Sequence, residues 1–343
     1  MRHPMNRITT KPLIVIAMLL AGCAQSPPPR QAQVEALRGL ADQVDIARMM
    51  QTVVAMVGER ATDTPIDSSD FVITQPIQER FRHLTHLNSR EYMAARLAAL
   101  GYEVRRFDHE AGKFSSTTLV ADLPGALHPE EVVVVAAHYD AFWTGADDNA
   151  SGVAAVLELA RIFKEQRFDR TVRFVGFDLE EIGMIGSTRW AQADLPPGGT
   201  LVGALVFDCI GYSSTQPGSQ QSLPGLPSPN AGDFLAVITN EANRSSALEV
   251  RGISDALGGL KVGLIMAPGD GVSPIGGNLL RSDHAPFWLV GKPALLFTDT
   301  ANFRNPHYHT DHDLPETLDQ GFFRGVARLA AVTLAHWAGV VTR

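Results

Sequence analysis

The sequence predicts an α/β fold, a three-layer α/β/α sandwich around a mixed, mostly parallel central sheet. Three observations lead there. From residue 102 onward, apolar runs of strand length alternate with helical patterns, the order that builds a parallel sheet through helical crossovers. Several of those runs are apolar at nearly every position rather than every second one, which marks strands covered on both faces. Length and composition allow a large core: 343 residues, 45% apolar and 19% charged, with no repeat, leave the disordered and solenoid classes aside.

The elements follow in order. Residues 1–22 read as a leader. Arg2, Arg7 and Lys11 form a basic start, and residues 13–20 an apolar stretch too short to span a bilayer. It ends in Leu20-Ala21-Gly22-Cys23, which resembles a bacterial lipobox. Cleavage before Cys23 would leave that residue as a lipidated N-terminus. Residues 23–33, with Pro27, Pro28 and Pro29, read as a flexible tether. The expected location is the bacterial cell envelope, lipid-anchored at the outer membrane and facing the periplasm.

Residues 34–343 are then one domain, opened by a helical region at 34–80. Val34, Leu37, Leu40 and Val44 recur at helical spacing in a pattern that continues to about residue 60, and 61–80 read as loop. Asn88 or Ser89 is the expected cap of a helix carrying Met93, Leu97 and Leu100, stopped by Gly101. Strands are expected at 102–107, 116–122, 131–137, 171–177, 201–207, 234–239, 262–266 and 293–297. Val132, Val133, Val134 and Val135 make the third of these the most strongly β-prone. Helices are expected at 151–163, 185–193, about 245–257 and from about 317 onward. Residues 212–230, with four prolines, read as a long loop.

Charge and cysteine usage narrow the partners. The net charge is −8 and no basic patch stands out, so nucleic acid is not an expected partner. There are two cysteines. With Cys23 assigned to lipid, Cys209 has no partner and no structural disulfide is expected.

Ligands of open α/β sheets bind beyond the carboxyl ends of the strands. Acidic and His residues cluster there repeatedly. The run 132–137 leads into His138-Tyr139-Asp140, 172–177 into Asp178-Leu179-Glu180-Glu181, and 202–207 into Asp208. After 293–297 a loop leads to His307-Tyr308-His309. Any one of these is an ordinary turn or helix start; four together point to a metal site. Imidazole and carboxylate without thiolate suit catalytic zinc. His138 and Asp140 share a face if extended, so Asp140 can accept the second imidazole N–H. Glu180 and Glu181 diverge, so one can bind metal while the other acts as base.

At these residues the sequence resembles the co-catalytic dizinc aminopeptidase family of clan MH, of the bacterial leucyl aminopeptidase type. That family also contains glutaminyl cyclases, glutamate carboxypeptidase II and the non-catalytic transferrin receptor. The resemblance spans roughly residues 85–335. It rests on Ala137-His138-Tyr139-Asp140, on 145–152 (GADDNASG), and on Glu180-Glu181-Ile182-Gly183 with Gly186-Ser187. Phe207-Asp208, 282–287 (SDHAPF) and Tyr308-His309-Thr310 complete it. It implies the zinc exopeptidase (phosphorylase/hydrolase-like) fold and two zinc ions bridged by Asp148, four residues before Gly152. One ion would add Glu181 and His309, the other His138 and Asp208. Glu180 would be general base and acid, and the peptide after Asp148 is often cis. Asp147 stands where Asn is common and Tyr139 where Leu is also common; neither is a ligand.

The expected activity is aminopeptidase: hydrolysis of the first bond of peptides with a free N-terminus, by metal-activated water with Glu180 as base. The alternative is glutaminyl-peptide cyclotransferase, pyroglutamate formation on the same scaffold. A non-catalytic binding module is a third reading, disfavoured because all five ligands and the base are present. Among the rest, Asp283 and His284 begin a helix near the rim, either touching the site or only capping. Asp178 is expected to be structural and Cys209 a small core residue. His83, His86, His109, His128 and His312 are expected bystanders. Trp143, Phe303 and Tyr308 either line a pocket or pack. Side-chain preference and oligomeric state are not set by the sequence.

Overall fold

The computed structural model describes residues 31–67, 80–112, 114–193, 199–222, 229–272 and 274–340. The expected leader, most of the tether, residues 68–79 and part of the 212–230 loop lie outside the described residues. The chain opens with α1 (Gln31–Asp42) and α2 (Ile46–Ala61). The helical pattern running to about residue 60 is therefore interrupted. Asp45 caps the second helix, its carboxylate accepting from the N–H groups of Ala47 and Arg48 at 3.0 and 3.2 Å.

A short β1 (Leu84–Thr85) leads into α3 (Leu87–Ala99). Neither Asn88 nor Ser89 caps this helix; the N-cap residue is His86. Both expected caps are engaged by α2 instead. Asn88 donates to the carbonyl of Glu59 at 3.1 Å, and the Ser89 hydroxyl accepts from Arg60 at 3.2 Å.

Then come β2 (Val104–Ala111), β3 (Phe114–Leu123), β4 (His128–His138) and β5 (Ala141–Phe142). A kinked turn at Ala146–Ser151 runs into α4 (Gly152–Phe163). The β2–β3 hairpin reaches beyond its apolar positions, because its antiparallel register continues through Asp108↔Thr117 to Ala111↔Phe114. The order continues with β6 (Arg170–Phe177), α5 (Ile185–Gln192), β7 (Thr200–Phe207), β8 (Leu235–Asn240) and α6 (Arg244–Leu257). It closes with β9 (Val262–Ala267), α7 (Ala285–Leu289), β10 (Ala294–Thr298) and α8 (Gln320–Ala338). The last helix starts later than residue 317, after a 3₁₀ turn, where Asp319 accepts from the N–H groups of Gly321 and Phe322.

Eight strands form one sheet in the order β2-β3-β6-β4-β7-β10-β8-β9. The centre, β6-β4-β7-β10, is parallel, so its strands all end on one edge. Antiparallel pairings join β2 to β3, β3 to β6 and β10 to β8. Side chains alternate across β4. Val133, Val135 and Ala137 enter the larger core with residues of α1–α4, α6 and α8. Val132, Val134 and Ala136 enter the smaller core with Trp190 of α5 and Phe287 of α7. These are the three layers. No helix among the described residues is long and apolar enough to cross a membrane.

Phe207, fully buried at the end of β7, packs 6.0 Å from the Phe297 ring. Phe207→Ala should destabilise the protein by about 3–5 kcal/mol. Urea unfolding would read this, and a loss below about 1 kcal/mol would mean that the sheet edge collapses to fill the space.

Candidate metal centre

The parallel centre of the sheet delivers side chains to one rim. Among the described residues, two buried to half-buried groups of His and carboxylate side chains form there, each with its ligand atoms within 4.8 Å of one another. One consists of His138, Asp148 and Asp208, the other of Asp148, Glu181 and His309. Asp148 belongs to both. His138 Nε2 stands 3.4 Å from Asp148 Oδ1 and 3.7 Å from Asp208 Oδ1. His309 Nε2 stands 2.9 Å from Asp148 Oδ2 and 2.9 Å from Glu181 Oε2. One carboxylate thus faces two imidazoles with its two oxygens.

The neighbouring candidates turn elsewhere. Asp147 accepts from the N–H of Gly211 at 2.8 Å and from the Asn305 amide at 2.9 Å. His307 lies edge-on to Tyr212. His86 pairs with Asp178 at 2.9 Å, and Asp178 also accepts from the N–H of Thr117, a structural arrangement. Cys209 is fully buried. Trp143 stacks on His83, whereas Phe303 and Tyr308 line a cleft that Asp208 also lines.

The backbone around Asp148 is held from behind. The N–H groups of Asp147 and Asp148 donate to the Asp313 carboxylate at 3.0 and 3.1 Å. The Asp148–Asn149 peptide is cis. The Asn149 amide donates to the carbonyl of Phe207 at 2.8 Å and accepts from the N–H of Gly152 at 3.1 Å. Asp313 was not among the sequence candidates. It acts on backbone N–H groups 165 and 166 positions away, and no local pattern announces that.

His138 is oriented through its other nitrogen. Nδ1 lies 3.1 Å from the backbone oxygen of Asp140 and 3.4 Å from its carboxylate. The expected carboxylate partner is therefore the more distant one. That carboxylate is engaged by the N–H groups of Glu180 at 3.1 Å and Glu181 at 3.2 Å. Asp140 thereby positions both glutamates. Glu180 joins neither group and lies beside them. The His309 ring is stacked on Tyr308 at 3.8 Å and met edge-on by Phe142. Leu179, Cys209 and His309 all have φ near +55°, at +55°, +53° and +57°. Left-handed backbone costs an L-residue about 1–2 kcal/mol, and here it falls at His309 itself, directly before Glu180 and directly after Asp208.

Asp283, just before α7, reaches the same region. Its Oδ1 accepts from the Ser187 hydroxyl at 2.5 Å, and its buried Oδ2 has no hydrogen-bond partner. His284 Nε2 donates to the Leu279 carbonyl at 2.8 Å, and the ring packs at right angles to Trp288, which is a packing role.

Burial first, and then their negative neighbours, raise the proton affinities of the carboxylates at the rim. Burial, and then Asp148, push Glu181 up to about 7. Burial, with Asp208 and Asp283 and against the pull of His138, raises Glu180 well above the usual range. Burial lifts Asp283 to about 7, and burial with Asp147 lifts Asp313 to about 8. Burial alone would lower His309, but Glu181 and Asp148 raise it to about 10. Glu181 Oε1 and His309 Nδ1 are buried without a hydrogen-bond partner, and His138 Nε2, Asp148 Oδ1 and His309 Nε2 face one another and the neighbouring carboxylates in short contacts that lack hydrogen-bond geometry. Buried polar atoms of this kind are the ones that a bound cation satisfies. The five side chains, imidazole and carboxylate without thiolate, have the donor chemistry that suits zinc.

Comparison with known proteins agrees in family and fold. Residues 118–334 match the model of peptidase family M28. The chain is 31% identical over 268 residues to uncharacterized protein YfbL of Escherichia coli (strain K12), covering 72% of this chain and 80% of that one. The LapA aminopeptidase of Legionella pneumophila superposes with a TM-score of 0.65 at 17% identity, covering 94% of this chain and 79% of that one. Glutaminyl cyclase of Porphyromonas gingivalis superposes with a TM-score of 0.60 at 18% identity, covering 86% and 99%. At these identities the two structures speak for the fold alone.

The raised proton affinities give a pH prediction for the protein held in chelator. Unfolded carboxyls titrate near ~4. Folded Glu181, Asp283 and Asp313 keep their protons up to about 7 or 8, so between these values the folded chain binds more protons than the unfolded chain. Stability then falls as pH rises. The raised His309 acts in the same direction: its contribution is full below the unfolded value near ~6.5 and is lost as pH rises through about 10. The melting temperature in chelator should fall steadily from about pH 5 to about pH 9. A rise over that window would contradict the raised proton affinities of these buried groups.

Proposed function

Because the chain belongs to peptidase family M28, we propose that it is a zinc-dependent aminopeptidase. The observation that carries this is the pair of three-residue groups sharing Asp148. Imidazole and carboxylate donors without thiolate suit catalytic zinc. One ion would be held by Asp148, Glu181 and His309, the other by Asp148, His138 and Asp208. When bound, the metals supply Lewis-acid polarisation of the scissile carbonyl and make water acidic enough to be deprotonated near neutral pH.

The protein's own groups do the rest. Glu180, with its N–H fixed by Asp140 and its proton affinity raised, takes the proton from water and passes it to the departing amine. Asp140 is a positioning residue for Glu180 and Glu181. The cleft beside Asp208 is walled by Ile238, Ile265, Leu279, Leu296 and Phe303. It suits an apolar first side chain, and because Asp208 also lines it, that side chain would lie beside the rim. The leader pattern ending at Cys23 supports action at the cell envelope from a lipid anchor.

Aminoacyl-nitroanilides test this reading. Leu and Phe derivatives should be cleaved at least about tenfold faster than Asp or Ala derivatives, since each methylene in an apolar pocket counts for about 1–3 kcal/mol. Chelation should abolish release. Glu180→Gln should lower kcat by about 10²–10⁴-fold. Full activity in chelator or in Glu180→Gln would refute the mechanism. Cyclisation of Gln-peptides faster than hydrolysis of any substrate would instead assign the glutaminyl cyclase activity.

A further inference from the structure

Arg60 lies in the last turn of α2, upstream of every strand that carries a site residue. Its side chain is buried, with the residue only 4% exposed. A buried guanidinium is costly unless its donors are used. Nη1 donates to the carbonyl of Gly145 at 2.5 Å and of Thr144 at 3.0 Å. Nη2 donates to the carbonyl of Tyr139 at 3.1 Å, and Nε to the Ser89 hydroxyl at 3.2 Å. No carboxylate among the described residues forms an ion pair with it within the usual distance. Its carbonyl partners all belong to one turn, residues 139–145.

That turn joins two of the proposed ligands. Tyr139 follows His138 directly, and Gly145 stands three residues before Asp148. The backbone oxygen of Asp140, inside the turn, is also the partner of His138 Nδ1. The turn is built around the guanidinium. Gly145 has φ +57°, and a Cβ there would sit 2.3 Å from the carbonyl oxygen of Asp148 and 2.8 Å from Arg60 Nη1. A larger residue at 145 would displace both the fork and the Asp148 backbone.

We propose that Arg60 is a positioning residue for the metal centre: its planar fork gathers the carbonyls of the 139–145 turn and so sets the spacing of His138 and Asp148. This rests on the metallopeptidase reading of the site. The N-terminal helical region is then part of the active centre's support and not only a spacer. Lysine could keep the charge but could not bridge three carbonyls with fixed geometry. The surrounding carboxylates favour the cation too. Burial lowers the guanidinium to about 10, with Asp148, Asp313, Asp140 and Glu181 opposing that shift, so it stays charged at neutral pH.

The test uses the full chain and its Arg60→Lys and Arg60→Ala variants. Zinc affinity is read by competition with a fluorescent chelator, alongside kcat, KM and melting in chelator. Arg60→Lys should weaken zinc binding about 10–100-fold, the range for partners of metal ligands. It should lower kcat at least about tenfold with KM within about twofold. Millimolar guanidinium should restore much of the zinc affinity of Arg60→Ala, and methylammonium at equal ionic strength should not. If Arg60→Ala fails to fold, Arg60→Lys decides alone. Parental zinc affinity and kcat in the variants, with only the melting temperature lowered, would overturn the proposal, as would equal rescue by methylammonium. A parent chain that binds no zinc would refute the function proposed above instead.

Discussion

One carboxylate placed between two imidazoles is the constraint around which the rim is organised. Asp148 presents Oδ1 to His138 and Oδ2 to His309, and Asp208 and Glu181 stand on either side. In water such a cluster would scatter. Inside a protein it persists only if the backbone holds each group against its neighbours' repulsion or a cation is shared among them. The structure shows the first device directly. The Asp148 backbone hangs from Asp313, Asn149 is tied to β7 and α4, and both glutamate N–H groups are tied to Asp140. Apart from the local bond between Asn149 and Gly152, each of these ties joins residues at least 40 positions apart.

The sheet makes this arrangement possible. Parallel pairing of β6, β4, β7 and β10 sends the ends of four strands to one edge. Apolar runs fix the strands by burial on both faces, so the first polar residue after each run is placed within narrow limits. What burial alone leaves open is the direction of that polar residue. There the chain turns through left-handed backbone at Leu179, Cys209 and His309, at a cost that the packed sheet absorbs, and Asp140 holds the N–H groups of Glu180 and Glu181. Stability and site geometry are therefore coupled through the same strand ends.

This division also explains what could be read from sequence. The strand ends at His138, Glu180, Glu181 and Asp208 were legible because an apolar run stopping at an acidic or His residue is a local signal. The choice between Asp147 and Asp148 was not legible from residue type. It depends on the hydrogen bonds that Asp147 makes to Gly211 and Asn305, more than sixty residues away. Asp313 and Arg60 carried no signal, since each acts on backbone groups far along the chain. The expected caps of α3 failed for a related reason: Asn88 and Ser89 met α2 before they could serve their own helix. The break between α1 and α2 was readable in principle, because Asp45 before Ile46 has the form of a helix cap.

In the proposed function, Asp148 would be held in common by two metal ions. Anomalous X-ray scattering at the zinc edge, from crystals of the zinc-loaded protein, tests it most directly. Two peaks about 3.5–4 Å apart are expected, one on each side of the Asp148 carboxylate. A single peak there, or a second ion only at the exposed group of His128, Glu130 and Glu131, would contradict it.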